Sequence, residues 1–386
     1  MADPMTRAWG VAGGALRWAD RKAPPQAAAL RRILVCATGG LGNAILLQPL
    51  LLTLRAGCPG ARIDLLVTSG AAAAFLEMAG WADRVLRMPE HEWYGGAANF
   101  RRFGGPLRRE RYDAVLRTFL TSPCAKRSSL AAALSRAPIR VAFGTRPTNP
   151  FETHLLVEDP AQPETERHLA LARALGLEPA WSFRPTPAPA SGIAWSDAFL
   201  KEHGVADGRA LLGLHPGSDP RYTAKRWPAA RFGALAAQAS RRLAAQPVIF
   251  GGPDDREVVR GALDASERTA IAAADQDIAG TAALIARCRA FVTNDSGLMH
   301  LASLMGVPTL ALFGPSDPVK NRTVGQQPRV VRLGLACSPC SKTHAMSACE
   351  HHDCLRTLET ARVFESLATL WRETAGATAA AAAGRS

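Results

Sequence analysis

The chain has 386 residues, and this length predicts two globular domains. Lysine and arginine outnumber aspartate and glutamate by 46 to 33, and the net charge of +13 favours an anionic partner such as a phosphorylated substrate, an acidic membrane surface or a nucleic acid. Aromatic residues make up only 6% of the chain and do not alternate with basic residues as in RNA-binding motifs, so no nucleic-acid partner is expected. A basic surface without a specific partner is the alternative.

The N-terminal segment, 1–30, is predicted to be a leader that is either flexible or lies on a membrane surface. Alanine and proline are frequent in it, and Trp9 and Trp18 stand among basic residues that can contact anionic lipid. It lacks the continuous apolar core and the cleavage site of a signal peptide. No later stretch has the uninterrupted apolar length of a transmembrane helix, so the protein is expected in the cytoplasm.

Residues 31–178 are predicted to form a first α/β domain. The predicted strands are 33–37, 62–67, 84–88, 112–116 and 139–143, and the predicted helices are 44–54 with a kink at Pro49, 71–78, 128–134 and one within 160–175. Alternating strands and helices are typical of a parallel, doubly wound sheet. The segment 89–111 breaks this pattern and is expected to be a mobile basic loop that receives anionic groups of a substrate, with a solvated charge run as the alternative.

The stretch 179–190 is rich in proline and is predicted to be a linker between domains. The alternation then restarts in a second domain, 191–375. Its predicted strands are 211–214, 247–250, 269–273, 290–292 and 309–313, and its predicted helices are 229–243, 254–263, 281–288, 298–304 and 360–372. An alanine-rich tail, 376–386, has no evident function. Two such sheets would leave a cleft, and ligands bind at the carboxyl ends of strands in sheets of this kind.

A strand-loop-helix unit in the second domain is predicted to bind a diphosphate. The strand 290–292 ends in the turn and N-cap residues Asn294, Asp295, Ser296 and Gly297, and a helical pattern follows at once. The free backbone N–H groups and the dipole of a helix favour an anion at such a terminus. In the alternative interpretation, Asp295 only caps an ordinary helix.

A second motif, His215-Pro-Gly-Ser218 followed by Lys225 and Arg226, also has the composition of a phosphate site. The Gly-Ser turn after a strand exposes backbone N–H groups, and the two cations supply positive charge. A basic surface loop is the alternative. The glycine turn 38–43 of the first domain lacks the last glycine and the acidic residue of a dinucleotide fingerprint, so it is expected to allow close approach of a substrate rather than to bind NAD.

Together, the motifs of the second half resemble glycosyltransferase family 9, the ADP-heptose:lipopolysaccharide heptosyltransferases. The resemblance covers roughly 33–372 and rests on the segments 215–228, 250–257, 278–284, 293–300 and 312–318. It implies a GT-B fold, with two Rossmann-like domains facing each other across a cleft, and inverting transfer of a heptose from ADP-heptose to a lipopolysaccharide inner-core acceptor. It also implies that catalysis requires no cofactor and that the protein is peripheral on the inner face of the inner membrane.

The resemblance places the donor site in the second domain. Ser218 and Lys225 would contact the diphosphate, with Lys225 stabilising the departing ADP, and Asp255 or its neighbour Asp254 would hold the ribose. The hydroxyl and N–H groups at the start of one helix would meet the phosphates, and another helix start would border the adenine. The residues are Asp295, Ser296 and Gly297, with His300 in the same wall, for the phosphates, and Gly280, Thr281 and Ala282 for the adenine.

The implied acceptor site in the first domain departs from the family at one position. Its residues would be Gly40, Gly42, Asn43, Arg101, Arg102, Arg108 and Arg109. Family members show Gly-Asp where this chain has Gly42-Asn43, and that aspartate is the proposed base. Asparagine accepts no proton near neutral pH.

Three interpretations of Asn43 stay open. Asn43 orients the acceptor while another group, such as Glu90, His91 or Glu92, takes the proton; the transition state needs little base assistance; or the protein is catalytically weak. The first is preferred. The alternatives for the whole protein are a glycosyltransferase that uses another nucleotide sugar or a protein acceptor, and a non-catalytic nucleotide-sugar-binding protein.

A cysteine cluster lies near the C-terminus and consists of Cys337, Cys340, Cys349 and Cys354. A Cys-x2-Cys pair with two further thiols can form a tetrahedral zinc or iron site. This site is predicted to be structural, because four thiolates leave no open position for catalysis. Free thiols are the alternative, and disulfides are disfavoured in the cytoplasm. The scattered cysteines are expected to be buried thiols: Cys36, Cys58, Cys124 and Cys288.

Overall fold

The computed structural model describes residues 29–383 except 38, 89–103, 119–122, 145–148, 150, 158, 160, 184, 275, 341–345, 347 and 348, and it describes the backbone alone for 123–127, 130 and 375–383. The chain divides into two compact units, residues 1–183 and 184–386, at a point inside the range predicted as the linker. No helix among the described residues is long and apolar enough to span a membrane.

The first unit contains a six-stranded parallel sheet. Its strands are β1 (Arg32–Ala37), β2 (Arg62–Val67), β3 (Arg84–Arg87), β4 (Ala114–Arg117), β5 (Ile139–Phe143) and β6 (His154–Leu156). Their order, β3-β2-β1-β4-β5-β6, is that of a Rossmann fold. The predicted strands match β1 to β5, whereas β6 is missed because three half-buried residues are too short for a periodic pattern.

The helices of the first unit are α1 (Leu41–Ile45), α2 (Gln48–Gly57), α3 (Gly70–Ala79), α4 (104–109), α5 (Pro123–Leu134) and α6 (Glu164–Arg173). The helix predicted over 44–54 with a kink at Pro49 is helical on both sides of a break, but the break lies at residues 46 and 47 rather than at the proline. Pro49 stands in the first turn of α2, where its missing N–H loses no hydrogen bond. The predicted loop is wrong for 104–109, since Leu107 is buried in the core beside Tyr112 and Val115 and holds this segment as a helix.

A buried polar network lies at the carboxyl end of β4. The Arg117 guanidinium, only 1% exposed, pairs with the fully buried carboxylate of Glu152. Its Nε donates to the Ser128 hydroxyl at 3.0 Å, and the Ser129 hydroxyl donates to the second Glu152 oxygen at 2.8 Å. Because buried charges are stable only when they are paired, this network joins the sheet firmly to α5.

The second unit repeats the same architecture. Its strands are β7 (Leu211–His215), β8 (Gln246–Phe250), β9 (Ile271–Ala273), β10 (Cys288–Asn294), β11 (Thr309–Leu312) and β12 (Arg329–Val331). The parallel order β12-β11-β10-β7-β8-β9 is the Rossmann order again when the strands are counted from β7. The prediction of two Rossmann-like α/β domains is therefore confirmed, although β12 is not among the predicted strands.

The helices of the second unit are α7 (Ala190–Glu202), α8 (Ala229–Leu243), α9 (Arg256–Asp264), α10 (Ile278–Ala286), α11 (Gly297–Leu304), α12 (Asp353–Arg356) and α13 (Thr360–Ala383), with 3-10 segments at Pro220–Lys225 and Pro253–Asp255. The last helix continues beyond the predicted end at residue 372 and through most of the alanine-rich tail, since alanine is the strongest helix former. The core packs Trp227 and Phe232 against Trp371 of α13. The Trp227 indole donates to the Leu358 carbonyl at 2.8 Å, which anchors the start of α8.

Candidate functional site

The carboxyl ends of β7 and β10 lie side by side where the strand order of the second sheet reverses. The two strands pair in parallel, with His215 opposite Thr293. Ligands bind at such a reversal in open α/β sheets, since the loops after the two strands diverge there. The loops at this point are 215–218 and 294–297, the two segments in which the sequence predicts phosphate binding.

Asn294 connects these two loops. Its side chain is fully buried, and its Nδ2 donates to the carbonyls of Pro216 and Gly217 at 2.9 and 3.1 Å. Its Oδ1 accepts from the Trp227 N–H at 3.0 Å. The amide therefore holds the Gly-Ser turn and the start of α8 against the end of β10. Sequence reasoning missed this role, although Asn294 is a polar residue at the end of a buried strand.

Lys225 and Asp295 form an ion pair at the edge of the site. Lys225 Nζ lies 2.8 Å from Asp295 Oδ2, and Asn321 Nδ2 donates to the same oxygen at 2.8 Å. Burial by itself raises the pKa of Asp295, but the Lys225 ammonium, together with Ser316 and His300, holds that pKa below its usual range. The ionised Asp295 carboxylate fixes the position of the Lys225 ammonium. Since the lysine side chain remains 20% exposed, this ammonium is also accessible to a ligand.

The N-terminus of α11 adds positive potential beside this pair. Ser296 is the N-cap residue, its side chain accepts no hydrogen bond from the first turn, and no acidic residue lies in that turn. The dipole of α11 and the N–H groups of its first turn, beginning at Gly297, are therefore uncompensated by a cap. His300, buried one turn further along, adds to the positive potential at Asp295.

Ser218 and Arg226 stabilise the turn after β7. Arg226 donates through Nε to the Ser218 hydroxyl at 3.2 Å and through a terminal nitrogen to the Ser218 carbonyl at 2.9 Å. The same guanidinium lies 3.4 Å from the Asp255 carboxylate. The two cations of the motif therefore differ in their partners. Arg226 stabilises the turn after β7, whereas Lys225 pairs with Asp295 after β10.

Asp255, the predicted ribose ligand, is turned toward protein groups. Its carboxylate lies 3.5 Å from His215 Nε2 and accepts from the Gly252 N–H at 3.2 Å. Burial raises its pKa, but the hydrogen bonds and the nearby positive groups hold it below the usual value. A Cβ at Gly217 would come within 2.3 Å of this carboxylate, so glycine is required for the close approach. The ribose contact stays a prediction, and the neighbouring Asp254 is exposed.

The three residues predicted near the adenine are packed inside α10. A Cβ at Gly280 would come within 2.8 Å of the Trp195 ring on α7. The Thr281 hydroxyl donates to the Asp277 carbonyl at 2.8 Å, and Ala282 is fully buried. These contacts give the segment a role in packing α7 against α10, and its contact with a nucleotide stays a prediction.

The predicted acceptor residues lie in the first unit. Gly40 is the N-cap of α1, with no side-chain cap, and Gly42 and Asn43 lie in α1 at the carboxyl end of β1. A Cβ at Gly39 would come within 2.4 Å of Asn43 Nδ2, so the glycine makes room for this amide. Arg108 and Arg109 are exposed on α4. The other predicted groups lie outside the described residues: Arg101, Arg102, Glu90, His91 and Glu92.

The four cysteines of the cluster share one neighbourhood. Burial first, and then the Cys340, Cys337 and Cys349 thiolates, raise the pKa of Cys354 to about 11. Within the part of the chain that the structure describes, however, no three or more His, Cys, Asp or Glu side chains are arranged to hold a metal ion. Elsewhere Cys36, Cys58 and Cys288 are buried as predicted, and the side chain of Cys124 lies outside the described set.

Comparisons of the sequence and of the fold with known proteins both lead to one family of enzymes. Residues 100–350 match the model of "Glycosyltransferase family 9 (heptosyltransferase)". Lipopolysaccharide heptosyltransferase 2 of Salmonella typhimurium is 30% identical over 353 residues, which are 89% of this chain and 99% of that protein. The structure of a family 9 glycosyl transferase from Veillonella parvula has a TM-score of 0.72 at 26% identity, over 89% of this chain and 97% of that one. Escherichia coli ADP-heptose lps heptosyltransferase II gives 0.70 at 26% identity, over 89% and 99%.

Proposed function

Since the chain belongs to glycosyltransferase family 9 and is a glycosyltransferase, we propose that it transfers a heptose from ADP-heptose to an inner-core sugar of lipopolysaccharide. The observation that carries this proposal is the Lys225–Asp295 pair beside the uncapped N-terminus of α11. Such a site binds anionic groups, and the diphosphate of a nucleotide sugar is one of them. The named activities of the Salmonella and Escherichia relatives support heptose as the sugar.

The proposed reaction is a single displacement with inversion. The acceptor hydroxyl oxygen attacks the anomeric carbon of the heptose from the face opposite the diphosphate, and the bond between that carbon and the phosphate oxygen breaks. The electron pair stays on ADP, where Lys225 and the first-turn N–H groups of α11 stabilise the added charge. Asp295 already orients the Lys225 ammonium in the free protein. The proposed transfer uses these groups and no catalytic cofactor.

The acceptor proton needs a different route, because Asn43 stands where the family has its proposed base. We propose that Asn43 orients the acceptor hydroxyl through its amide while another group takes the proton. Asn43→Ala is then expected to raise the KM for the acceptor about tenfold, the effect of one lost hydrogen bond. Steady-state kinetics with varied acceptor measures this change.

Asn43→Asp is the matched variant, because it keeps the shape of the side chain and adds a basic group. Turnover within about threefold of wild type is expected if another group already serves as the base. A rise of kcat by about a hundredfold would contradict the orienting role and would show that the natural chain lacks an effective base.

Two alternatives to the proposed function are kept because of Asn43. One is a related glycosyltransferase with another nucleotide sugar or a protein acceptor, and the other is a non-catalytic nucleotide-sugar-binding protein. Release of the nucleoside diphosphate from ADP-heptose and, in parallel, from UDP- and GDP-sugars, measured with and without a core acceptor that lacks this heptose, separates them. Acceptor-dependent release supports the proposal; release only from UDP- or GDP-sugars supports the first alternative, and saturable binding without release supports the second.

The proposed place of action is the inner face of the inner membrane, where the protein would be peripheral. The net charge of +13 supports contact with anionic lipid and with an anionic core acceptor, since basic surfaces concentrate near such groups. Arg108 and Arg109 on α4 are exposed and available for such contacts.

For the cysteine cluster we propose a structural zinc or iron ion that takes no part in the transfer. Four neighbouring thiols suit either metal, but the described arrangement is not that of a metal site, so the segment would have to close around the ion. The purified protein is expected to carry about one metal ion per chain, and Cys337→Ser is expected to lower that content.

Elemental analysis of the purified chain checks this expectation. Cys58→Ser, which removes a buried thiol outside the cluster, is the control and should keep the metal. An unchanged metal content in Cys337→Ser, or wild-type protein without metal, would contradict the proposal.

A further inference from the structure

His215 connects the start of α11 to Asp255. Its imidazole is 5% exposed, its Nδ1 lies 3.0 Å from Ser296 Oγ and 3.4 Å from Thr293 Oγ1, and its Nε2 lies 3.5 Å from Asp255 Oδ2. The ring is therefore held between a carboxylate on one side and a hydroxyl of the proposed donor site on the other.

The partners of His215 determine where the protons lie. The Asp255 carboxylate only accepts, so Nε2 carries the hydrogen that faces it. Nδ1 then accepts, and the Ser296 hydroxyl donates to it. The Thr293 hydroxyl donates instead to the Asn294 carbonyl at 2.9 Å.

Ser296 has the backbone of an N-cap residue without the usual hydrogen bond. Its φ of −149° and ψ of 172° are extended, as at other N-caps, but its side chain bonds to none of the first-turn N–H groups. Ser69 and Asp277 occupy the same position before α3 and α10, and they accept from the N–H groups of Ala72 and Gly280 at 3.3 and 2.8 Å. The Ser296 hydroxyl instead lies 3.0 Å from the imidazole of His215 and 3.1 Å from the Thr293 hydroxyl, and these two contacts direct it toward β7 and β10.

We propose that His215 is a positioning residue that keeps the Ser296 hydroxyl away from α11 and so leaves the first-turn N–H groups of that helix open for the donor diphosphate. This inference rests on the proposed function. Asp255 supports this arrangement because its carboxylate faces Nε2 of His215 and so fixes the orientation of the ring. The carboxylate therefore has a structural role in the free protein.

The proposal predicts competition between Ser296 and the diphosphate. A serine released from His215 can rotate and accept from a first-turn N–H, as Ser69 does at α3. Such a bond takes a donor that the diphosphate would otherwise use, and its loss weakens binding by about fivefold.

Two variants of His215 separate its two contacts. Asparagine places an amide near the position of Nδ1, so His215→Asn keeps a partner for Ser296. Glutamine places its amide near Nε2, so His215→Gln keeps the contact with Asp255 and releases Ser296. His215→Gln is expected to bind ADP about fivefold more weakly than wild type, and His215→Asn is expected to bind ADP better than His215→Gln.

The decisive variant adds Ser296→Ala to His215→Gln. In this proposal the first-turn N–H groups of α11 contact the diphosphate and the Ser296 hydroxyl does not. Removing the hydroxyl that caps α11 is therefore expected to restore most of the lost ADP affinity, whereas general damage to the fold would not be repaired by a second truncation. Calorimetric titration measures the affinity for ADP of wild type, the two single variants and the double variant. Thermal unfolding checks that each protein is folded. If the glutamine variants do not fold, the affinity of His215→Asn is compared with that of wild type.

The outcomes distinguish this inference from the proposed function. If wild type binds ADP but His215→Gln binds it equally well, or if Ser296→Ala restores nothing in the His215→Gln background, the positioning role is wrong and the proposed function stands. If wild type itself does not bind ADP, the proposed function fails and the inference fails with it.

Discussion

Replacing Lys225 by methionine is expected to lower kcat/KM for the donor by roughly 100- to 1,000-fold, the usual effect of removing one oriented group that stabilises transition-state charge. Methionine replaces the aliphatic part of the side chain but removes the cation that lies 2.8 Å from Asp295. The buried carboxylate then loses its counterion, its pKa rises, and stability is expected to fall by about 2 kcal/mol. Initial rates of ADP release and chemical denaturation measure the two effects.

Arg221→Ala is the matched control for this loss of charge. Arg221 belongs to the same 3-10 segment, but it is 61% exposed and pairs with Asp219. Its removal is expected to change kcat/KM by less than about twofold, as for most exposed ion pairs. Wild-type kinetics in Lys225→Met, or an equal loss in both variants, would contradict the assignment of Lys225 to the leaving diphosphate.

Asn294→Asp is expected to lower the free energy of unfolding at neutral pH by about 3–5 kcal/mol and to abolish ADP binding in the surviving fold. The substitution keeps the shape of the side chain but turns a carboxylate oxygen toward the Pro216 and Gly217 carbonyls, which now receive hydrogen bonds at 2.9 and 3.1 Å. Since the site is fully buried, water cannot replace the lost donors.

The pH dependence of Asn294→Asp has a definite sign. Burial beside carbonyl oxygens raises the pKa of the introduced carboxyl in the folded state, so the destabilisation is greatest at neutral pH and diminishes as acid protonates the group. The stability difference from wild type is therefore expected to narrow toward about pH 4. Urea denaturation at several pH values measures it.

Gln246→Glu is the control for the same chemical change at a less buried position. The Gln246 amide also donates to two carbonyls, those of Pro247 and Thr269, each at 3.2 Å, but its side chain is only half-buried. A loss of about 1 kcal/mol is expected there. Equal losses in the two variants would show that the buried connection between the loops is not what stabilises the site.

Ten of the twelve strands that the structure describes, and the loops at 215–218 and 294–297 that follow two of them, could be predicted from local patterns. Buried parallel strands are continuous apolar runs, as in β1 and β10, and the Gly-Ser and Asp-Ser-Gly turns mark their carboxyl ends. The length of α13 and the split between α1 and α2 were harder to predict, because alanine-rich and proline-containing segments leave helix boundaries weakly specified.

The partners of the polar side chains could not be predicted in this way. Asn294 bonds to carbonyls 77 and 78 residues away, and His215 meets a hydroxyl 81 residues away. Sequence spacing indicates that a turn can bind phosphate, but only the pairing of β7 with β10 shows which hydroxyl faces the imidazole. The neighbour of Gly280 could not be predicted either. Its motif resembles a nucleotide contact, but in the structure the side of the glycine that lacks a Cβ packs on the Trp195 ring.

Heptose transfer is tested most directly by the identity of the product. Purified protein is incubated with ADP-heptose and a core acceptor that lacks this heptose, and the acceptor is then examined by mass spectrometry and NMR. The expected result is a mass gain of one heptose residue, joined with an anomeric configuration opposite to that of the donor. An acceptor of unchanged mass, while ADP-heptose binds saturably, would contradict transferase activity toward lipopolysaccharide.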